Sequence, residues 1–395
     1  MTRAERHLTA TGAADDRLLL FGGPLHRLGR RLGLVGRDFD SVPLGLALGA
    51  FLWLVLALLS WTEGVAGKLF EFSAIGVHVR LLIALPLLFL AETLIAPRMA
   101  TFIETIVRSG VVPPPAVPAL RDELRSIRRW ADSWLPESIF LLVALLLAMA
   151  GSHLHLYGTS ASLGAESTAA ATTFAGQWYG TVCLTIVRFL LLRWLWRLLL
   201  WCRFLWRVTR LDLHLVPTHP DRQAGLGYLQ VVQAQFMPVV VAISAIQASG
   251  LAEDIARGNL QFEAVAPAVV MLLAVLAALF LGPLLIVGPR LRAARISGLE
   301  SYMELASRYV IAFEKKWLAP GSVPGEPFLG TPDLQSLADL QGSMGAVDEL
   351  RWLPISLRLA MFQLAATLLP MAPLLLLKYP IAELSQKLIE RLVGS

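Results

Sequence analysis

Ionisable side chains interrupt several of the most apolar stretches of this sequence, and they are the first candidates for chemistry. Glu92 lies in one such stretch, and Arg188 and Arg193 lie in another. A charge at the centre of a hydrocarbon layer costs at least about 2.5 kcal/mol, so such residues usually pair or face a cavity. Counting along the stretches places Glu92 near the depth of Arg193 and within reach of Arg188. We therefore expect an ion pair between Glu92 and one of these arginines, with separately hydrated charges as the alternative.

A stripe of neutral polar residues follows one face of another predicted helix. Its polar members are Gln230, Gln233, Ser244 and Gln247, which recur at steps that keep them on one helical face. Hydrogen-bonding side chains in this arrangement would suit a water-lined pathway. Amide side chains in membrane helices also hydrogen-bond from one helix to the next. Both interpretations of the stripe are open at this point.

A short segment rich in His and Asp offers weak candidates for a metal site. His214, His219 and Asp221 are ligand types that suit zinc, but their spacing matches no established metal motif. The structural interpretation is a turn that caps the next helix and packs closely against it. The proline and glycines that favour this interpretation are Pro220, Gly225 and Gly227.

Sequence motifs of the common enzyme classes are absent. The chain has no nucleophile elbow, phosphate-binding loop or dinucleotide fingerprint. We therefore expect no cofactor, and a non-enzymatic role is the favoured prediction. The isoelectric point near 9.5 is explained by basic loops between apolar segments, and nucleic acid is not expected as a partner.

The composition predicts an all-α protein that crosses a membrane many times. Of 395 residues, 56% are hydrophobic and 16% are charged, whereas a soluble domain has roughly 25% charged residues. About 20 apolar residues cross a hydrocarbon core as a helix. Seven stretches meet this requirement, and the lipid bilayer is the expected partner. They lie at 43–61, 78–97, 138–157, 178–201, 228–250, 265–288 and 357–377.

The distribution of Lys and Arg predicts the orientation. The segments 1–42, 98–137, 202–227 and 289–356 together carry 24 basic residues, and the intervening loops before the last span carry two. Basic loops face the cytoplasm, so the N-terminus is expected there. Seven spans would place the C-terminus outside, whereas Pro370 and Pro373 leave open a re-entrant segment with the C-terminus inside.

Four regions follow from these boundaries. Residues 1–42 form a basic amphipathic tail, residues 43–288 form the transmembrane core, and residues 289–356 form a small cytoplasmic helical layer. Residues 357–395 form the last span or a re-entrant segment, followed by an amphipathic helix. In the cytoplasmic layer, an apolar stripe from Tyr302 to Trp317 predicts one helix, and Thr331-Pro332-Asp333 predicts the start of another.

Three motifs in this chain resemble one bacterial family. They are His219-Pro220-Asp221-Arg222 with Gly225-Leu226-Gly227, the helix that ends in Lys316-Trp317, and Pro332 to Leu340, which contains Asp333, Gln335 and Asp339. The family consists of uncharacterised polytopic inner-membrane proteins of similar length, and the likeness covers most of the chain. The resemblance implies a bacterial inner membrane and a shared architecture, and it supplies no activity.

Three classes of function are compatible with the sequence. The favoured prediction is an oligomeric channel or transporter for small solutes or ions. The alternative is a membrane scaffold or signalling component that binds a cytoplasmic protein partner through its cytoplasmic helices, and a membrane-embedded metalloenzyme ranks third. Gly45 and Gly49 form a GxxxG motif, which favours a homo-oligomer.

Overall fold

The computed structural model of this protein describes residues 41–150, 173–319 and 332–375. Every regular element in these ranges is helical and none of them is a strand, which confirms the all-α prediction. Nearly all of the predicted basic tail, the start of the predicted second cytoplasmic helix at Thr331 and the predicted C-terminal amphipathic helix lie outside the described residues.

Fourteen α-helices are numbered here along the described parts of the chain. They are α1 (Val42–Thr62), α2 (Ala66–Leu69), α3 (Ile75–His78), α4 (Leu85–Arg108), α5 (Val117–Ala131), α6 (Trp134–Ala150), α7 (Phe174–Trp178), α8 (Leu184–Val208), α9 (Tyr228–Ala234), α10 (Met237–Ala256), α11 (Val265–Leu285), α12 (Gly288–Trp317), α13 (Pro332–Asp348) and α14 (Leu357–Leu368). Two π-helical turns, Val79–Ala84 and Tyr179–Cys183, join α3 to α4 and α7 to α8 without a break.

Six helical segments among the described residues are long and apolar enough to cross a membrane, so the chain is a multi-pass membrane protein. They are Val42–Thr62, Phe72–Arg108, Pro114–Met149, Tyr228–Ala256, Phe262–Leu285 and Leu357–Leu374. The predicted span 178–201 is not among them. It lies within the continuous helix 174–208, which carries five arginines from Arg188 to Arg207. This helix nevertheless packs inside the bundle, because Leu190, Leu198 and Trp201 are buried.

The GxxxG motif of α1 packs against the next long helix of the same chain. A Cβ atom on Gly45 would lie 2.8 Å from the Phe89 side chain, and one on Gly49 would lie 2.3 Å from the backbone oxygen of Leu81. These distances leave no room for a larger residue at either position. The two glycines therefore serve packing within the chain, and the expectation of an oligomer contact at this motif loses its basis.

The bundle has two ends that differ in charge. The basic end, defined by the segments 98–137, 202–227, 289–319 and 332–356, carries helices α5, α12 and α13. The opposite end is defined by the segments 62–77, 173–177 and 251–264, and it is called the neutral end because these segments carry only two basic residues, Lys68 and Arg257. At the basic end, α5 buries Leu120, Leu124 and Ile127 along one face, which makes it an amphipathic helix. Helices α12 and α13 form an antiparallel hairpin, in which Arg295 pairs with Asp348 at 2.7 Å.

Candidate functional site

Four ionisable side chains form a buried cluster toward the basic end of the bundle. This basic-end cluster consists of Glu92 of α4, Glu137 of α6, and Arg193 and Arg197 of α8. Arg193 Nη1 lies 2.7 Å from Glu92 Oε1, and Arg193 Nε lies 3.2 Å from Glu137 Oε1. Arg197 donates a second hydrogen bond to Glu92 Oε1. Two charges of each sign are present, so each arginine has a carboxylate partner.

Simple helix geometry brings these residues together. Arg193 and Arg197 are four residues apart and therefore lie on one face of α8. Glu137 lies in the first turn of α6, where the helix dipole favours an acidic side chain. The sequence alone pairs Glu92 with Arg188 or Arg193, and it misses Glu137 because that residue ends the predicted loop 98–137.

A small cavity adjoins the basic-end cluster. It has a volume of about 10 Å³, and its lining includes Ser133, Glu137, Arg193 and Trp196. This volume is about that of one bound water. Arg193 Nη2 is buried and has no hydrogen-bond partner among the described residues. A water in this cavity would complete the hydrogen bonding of the cluster.

A second buried cluster lies at the neutral end. This neutral-end cluster consists of Arg80, Tyr179 and Glu253, all of which are buried. Arg80 Nη1 donates to Tyr179 Oη at 2.6 Å, and Arg80 Nη2 lies 3.5 Å from Glu253 Oε2. The backbone N–H of Gly76 donates to Glu253 Oε1 at 2.7 Å. A Cβ atom on Gly76 would lie 2.4 Å from that oxygen, so glycine is required at this contact.

Sequence reasoning missed the neutral-end cluster, although a signal was present. Arg80 and Tyr179 each lie within three residues of the start of a predicted span, and Glu253 lies three residues beyond the end of another. All three ends belong to the same side of the membrane. Searching for opposite charges at equal depth would have paired Arg80 with Glu253.

Both π-helical turns coincide with the neutral-end cluster. Arg80 lies in the turn Val79–Ala84, and Tyr179 begins the turn Tyr179–Cys183. Such turns are rare and frequently occur at functional sites. The start of α7 is fixed from α1, because Glu63 accepts hydrogen bonds from the backbone N–H groups of Phe174 and Ala175 at 2.6 and 3.1 Å. That contact positions Tyr179 one helical turn later.

The two clusters lie between the same pair of long helices. Arg80 and Glu92 are 12 residues apart on one helix, and Tyr179 and Arg193 are 14 residues apart on the other. At 1.5 Å per residue these separations are about 18 and 21 Å. Arg188 lies between the clusters along its helix and does not join the ion pair with Glu92. It is half-buried, and its Nη1 has no hydrogen-bond partner among the described residues.

The polar stripe on α9 and α10 is used mainly for contacts between helices. Gln233 is buried, donates to the backbone oxygen of Phe280, and accepts from Trp201 Nε1 at 3.2 Å. Gln230 Oε1 accepts from the backbone N–H of Ser356 at 3.2 Å. Ser244 also contacts a neighbouring helix, because it donates to the backbone oxygen of Thr367. Gln247, the last member of the stripe, is half-buried.

The predicted turn around Asp221 is held together by its own carboxylate. Asp221 accepts hydrogen bonds from the backbone N–H groups of Gln223, Gly225 and Gly227 at 2.8, 3.2 and 2.8 Å. His219 Nδ1 lies 2.8 Å from the same carboxylate. These contacts leave the carboxylate engaged within the turn that follows Pro220.

The backbone of this turn needs residues that tolerate a left-handed conformation. Gly225 has φ +94°, and Arg222 and Ala224 also have positive φ. His214 is exposed, and its backbone N–H donates to Val111 at 2.8 Å. No group of three His, Cys, Asp or Glu side chains among the described residues is arranged to hold a metal ion.

Asp333 joins two of the motifs singled out in the sequence. Its carboxylate accepts from Lys316 Nζ at 2.8 Å and from Trp317 Nε1 at 3.0 Å. These hydrogen bonds hold the pKa of Asp333 below its ordinary value. One turn further on, Gln335 donates to Asp339 at 2.9 Å within α13. The contacts of Asp333 therefore fix the tip of the α12–α13 hairpin.

Comparisons of this chain with protein-family models, with curated proteins and with solved structures find no match.

Proposed function

We propose that this protein transports small anionic solutes or ions across a membrane, with the two buried clusters closing the two ends of its pathway. The observation that carries the proposal is the placement of both clusters between the same two long helices, about 20 Å apart, with Arg188 between them. Ionisable residues at membrane depth are expensive and usually mark a pathway or a proton relay.

The clusters suit gates better than they suit simple helix packing. Well-packed apolar residues of similar volume hold helices together at least as well as a buried ion pair does. An ion pair can instead exchange its partner for a charged solute or for water. The polar stripe on α9 and α10 is a weaker candidate for the pathway, because Gln230, Gln233 and Ser244 already hydrogen-bond to neighbouring elements.

The expected charge of the transported solute follows from the balance of positive and negative side chains along the proposed pathway. Arg80 faces Glu253, and the basic-end cluster pairs two arginines with two carboxylates. Arg188 adds a positive charge between them and forms no salt bridge among the described residues. A guanidinium with free donors binds carboxylate or phosphate groups well. An anion is therefore the favoured solute.

The test is anion flux into proteoliposomes, measured with the purified protein and its variants. Arg188→Gln is expected to lower anion flux at least tenfold, and Arg188→Lys is expected to retain part of it. Arg121→Gln, on the exposed face of α5, is the matched control and should leave the flux unchanged. Wild-type flux in Arg188→Gln with an unaltered melting curve would remove Arg188 from the pathway.

The orientation belongs to the same proposal: the basic end faces the cytoplasm of a bacterial inner membrane. Two exposed residues at opposite ends, Asp212 and Gln261, allow a direct test by cysteine substitution. In intact cells, Gln261→Cys should react with a membrane-impermeant thiol reagent, and Asp212→Cys should react only after lysis. The opposite pattern would reverse the orientation.

A second candidate function is a membrane scaffold, and exposed apolar side chains on α12 favour it. Met303, Ile311 and Leu318 are 60%, 61% and 68% exposed. The two functions differ in their readout. A scaffold would show no flux above that of empty liposomes for any small anion, and substitutions on α12 would release a bound protein.

A further inference from the structure

We infer that helix α12 is an interface between two copies of this chain, which pair there as a parallel coiled coil. The inference does not rest on the proposed transport function. It starts from the spacing of the apolar residues on α12. Seven of them recur alternately at three and four residues over three heptads, and this set is called the α12 seam: Ile296, Leu299, Met303, Ala306, Val310, Phe313 and Trp317.

This spacing is characteristic of two helices that wind around each other. A repeat of seven residues with apolar first and fourth positions keeps one seam facing a partner helix along the whole length. Helix α12 has 30 residues, about 45 Å at 1.5 Å per residue, and the seam follows its outer two thirds.

Helix α13 covers only part of the seam. The fourth positions of the heptads, Leu299, Ala306 and Phe313, are half-buried. Three of the four first positions remain open: Ile296, Met303 and Val310 are 48%, 60% and 38% exposed, whereas Trp317 donates to Asp333 within the hairpin. Within α13 itself, one residue is buried. The hairpin alone therefore leaves one flank of an otherwise regular seam without a partner among the described residues.

The direction of pairing follows from the attachment of α12 to the membrane core. A two-residue turn separates α12 from α11, and α11 is one of the apolar membrane-crossing helices. Two copies in one membrane present their α12 helices from the same side and in the same direction. Membrane anchoring thus favours the parallel arrangement, in which equivalent first positions meet across a two-fold axis.

Charges beside the seam fit a second copy better than they fit a membrane surface. Interfacial helices bind anionic lipid through Lys and Arg on the flanks of their apolar face. The exposed apolar side of α12 instead includes Glu300 and Glu314, with Glu304 beside them.

The test is disulfide formation between single cysteines in the full-length protein within membranes. Met303→Cys and Val310→Cys place thiols at first positions, whose Cα atoms in a parallel pair fall within the range that a disulfide can span. Ser301→Cys and Arg308→Cys are matched controls, because both residues are exposed and lie seven residues apart on the opposite face. The native Cys183 is buried and Cys202 is half-buried.

We expect mild oxidation to give covalent dimers at 303 and 310 at least tenfold faster than at 301 and 308. Equal rates at all four positions, or no dimer at 303 and 310, would overturn the inference. Contact with lipid at Met303 and Val310, detected by collisional quenching of spin labels, would also overturn it. The double variant Met303→Glu and Val310→Glu should convert dimers to monomers in light scattering. Because α12 lies outside the proposed pathway, a failure here would leave the flux test on Arg188 untouched.

Discussion

Replacement of Glu92 by Met would leave the basic-end cluster with one carboxylate for two buried guanidinium groups. In the native protein Glu92 Oε1 accepts from both Arg193 and Arg197, and the side chains of all three are at most 6% exposed. Removing one partner of a buried ion pair costs about 3–5 kcal/mol, because the remaining charge stays desolvated. We expect a loss of stability of that size for Glu92→Met.

The arrangement of the cluster predicts how a second substitution should act. Arg197→Met alone would leave two carboxylates for one arginine and should also destabilise the protein. The double variant Glu92→Met with Arg197→Met would keep the pair between Arg193 and Glu137, 3.2 Å apart, and would restore charge balance. The double variant should therefore lose less stability than the sum of the single variants. A coupling energy in the upper part of the usual range of about 0.5–3 kcal/mol is expected.

The two native cysteines provide the assay. Cys183 is buried and Cys202 is half-buried, and both flank the arginines of the cluster on one continuous helix. A thiol-reactive dye that becomes fluorescent on coupling would report the unfolding of this helix in nanodiscs. Glu104→Met is the matched control, because Glu104 lies on α4, the helix of Glu92, and pairs with Arg108 on its exposed surface. Loss of this exposed pair should change the stability little. If Glu92→Met is as mild as this control, or the two single effects add, the cluster does not act as a coupled unit.

Three further predictions concern the other polar contacts. Gln233→Leu should lower stability by about 1–2 kcal/mol in the same thiol assay, because it leaves the buried indole N–H of Trp201 without its acceptor. Gly76→Ala should disturb the neutral-end cluster and destabilise the protein by about 1–3 kcal/mol, whereas Gly67→Ala, where a Cβ would meet open space, should not. Because the folded-state pKa of Asp333 is lowered from 3.8, its contribution to the hairpin is complete at neutral pH and is lost only as the pH falls through that lowered value. Distances between spin labels on α12 and α13 should therefore be unchanged at pH 5 and should increase below pH 3.8. An increase already at pH 5 would contradict the lowered pKa of Asp333.

The membrane class and the Glu92–Arg193 contact could be predicted from sequence because they depend on local quantities. Apolar length determines which segments can cross the bilayer, and the depth of a residue follows from counting along a span. The number of apolar spans was less accessible: the helix around Arg193 forms with Arg193 and Arg197 paired to Glu92 and Glu137, which lie on other helices.

The parts that the sequence could not predict depend on which helices become neighbours. The polar stripe that includes Gln233 was compatible both with a pathway and with interhelical contacts, since spacing alone does not identify the opposite helix. Its partner, the backbone oxygen of Phe280, carries no signal in the sequence. The π-helical turn at Arg80 was likewise inaccessible, because the extra residue per turn is set by packing rather than by local preference.

If the protein transports anions as proposed, the two clusters explain how its pathway would open without leaking. Separating the partners of one buried cluster costs about 3–5 kcal/mol unless a new partner replaces them, so opening both clusters at once would cost about twice that. An anion that pairs with Arg193 at one end offsets the cost there alone, and the other end remains closed. Once the same anion has moved past Arg188 and pairs with Arg80, it would offset the cost of opening the neutral-end cluster instead, and the basic-end cluster would close. In the proposed transport, the half-buried charge of Arg188 would lower the barrier between the ends, so its neutralisation should lower the flux at least tenfold while leaving both closed ends intact.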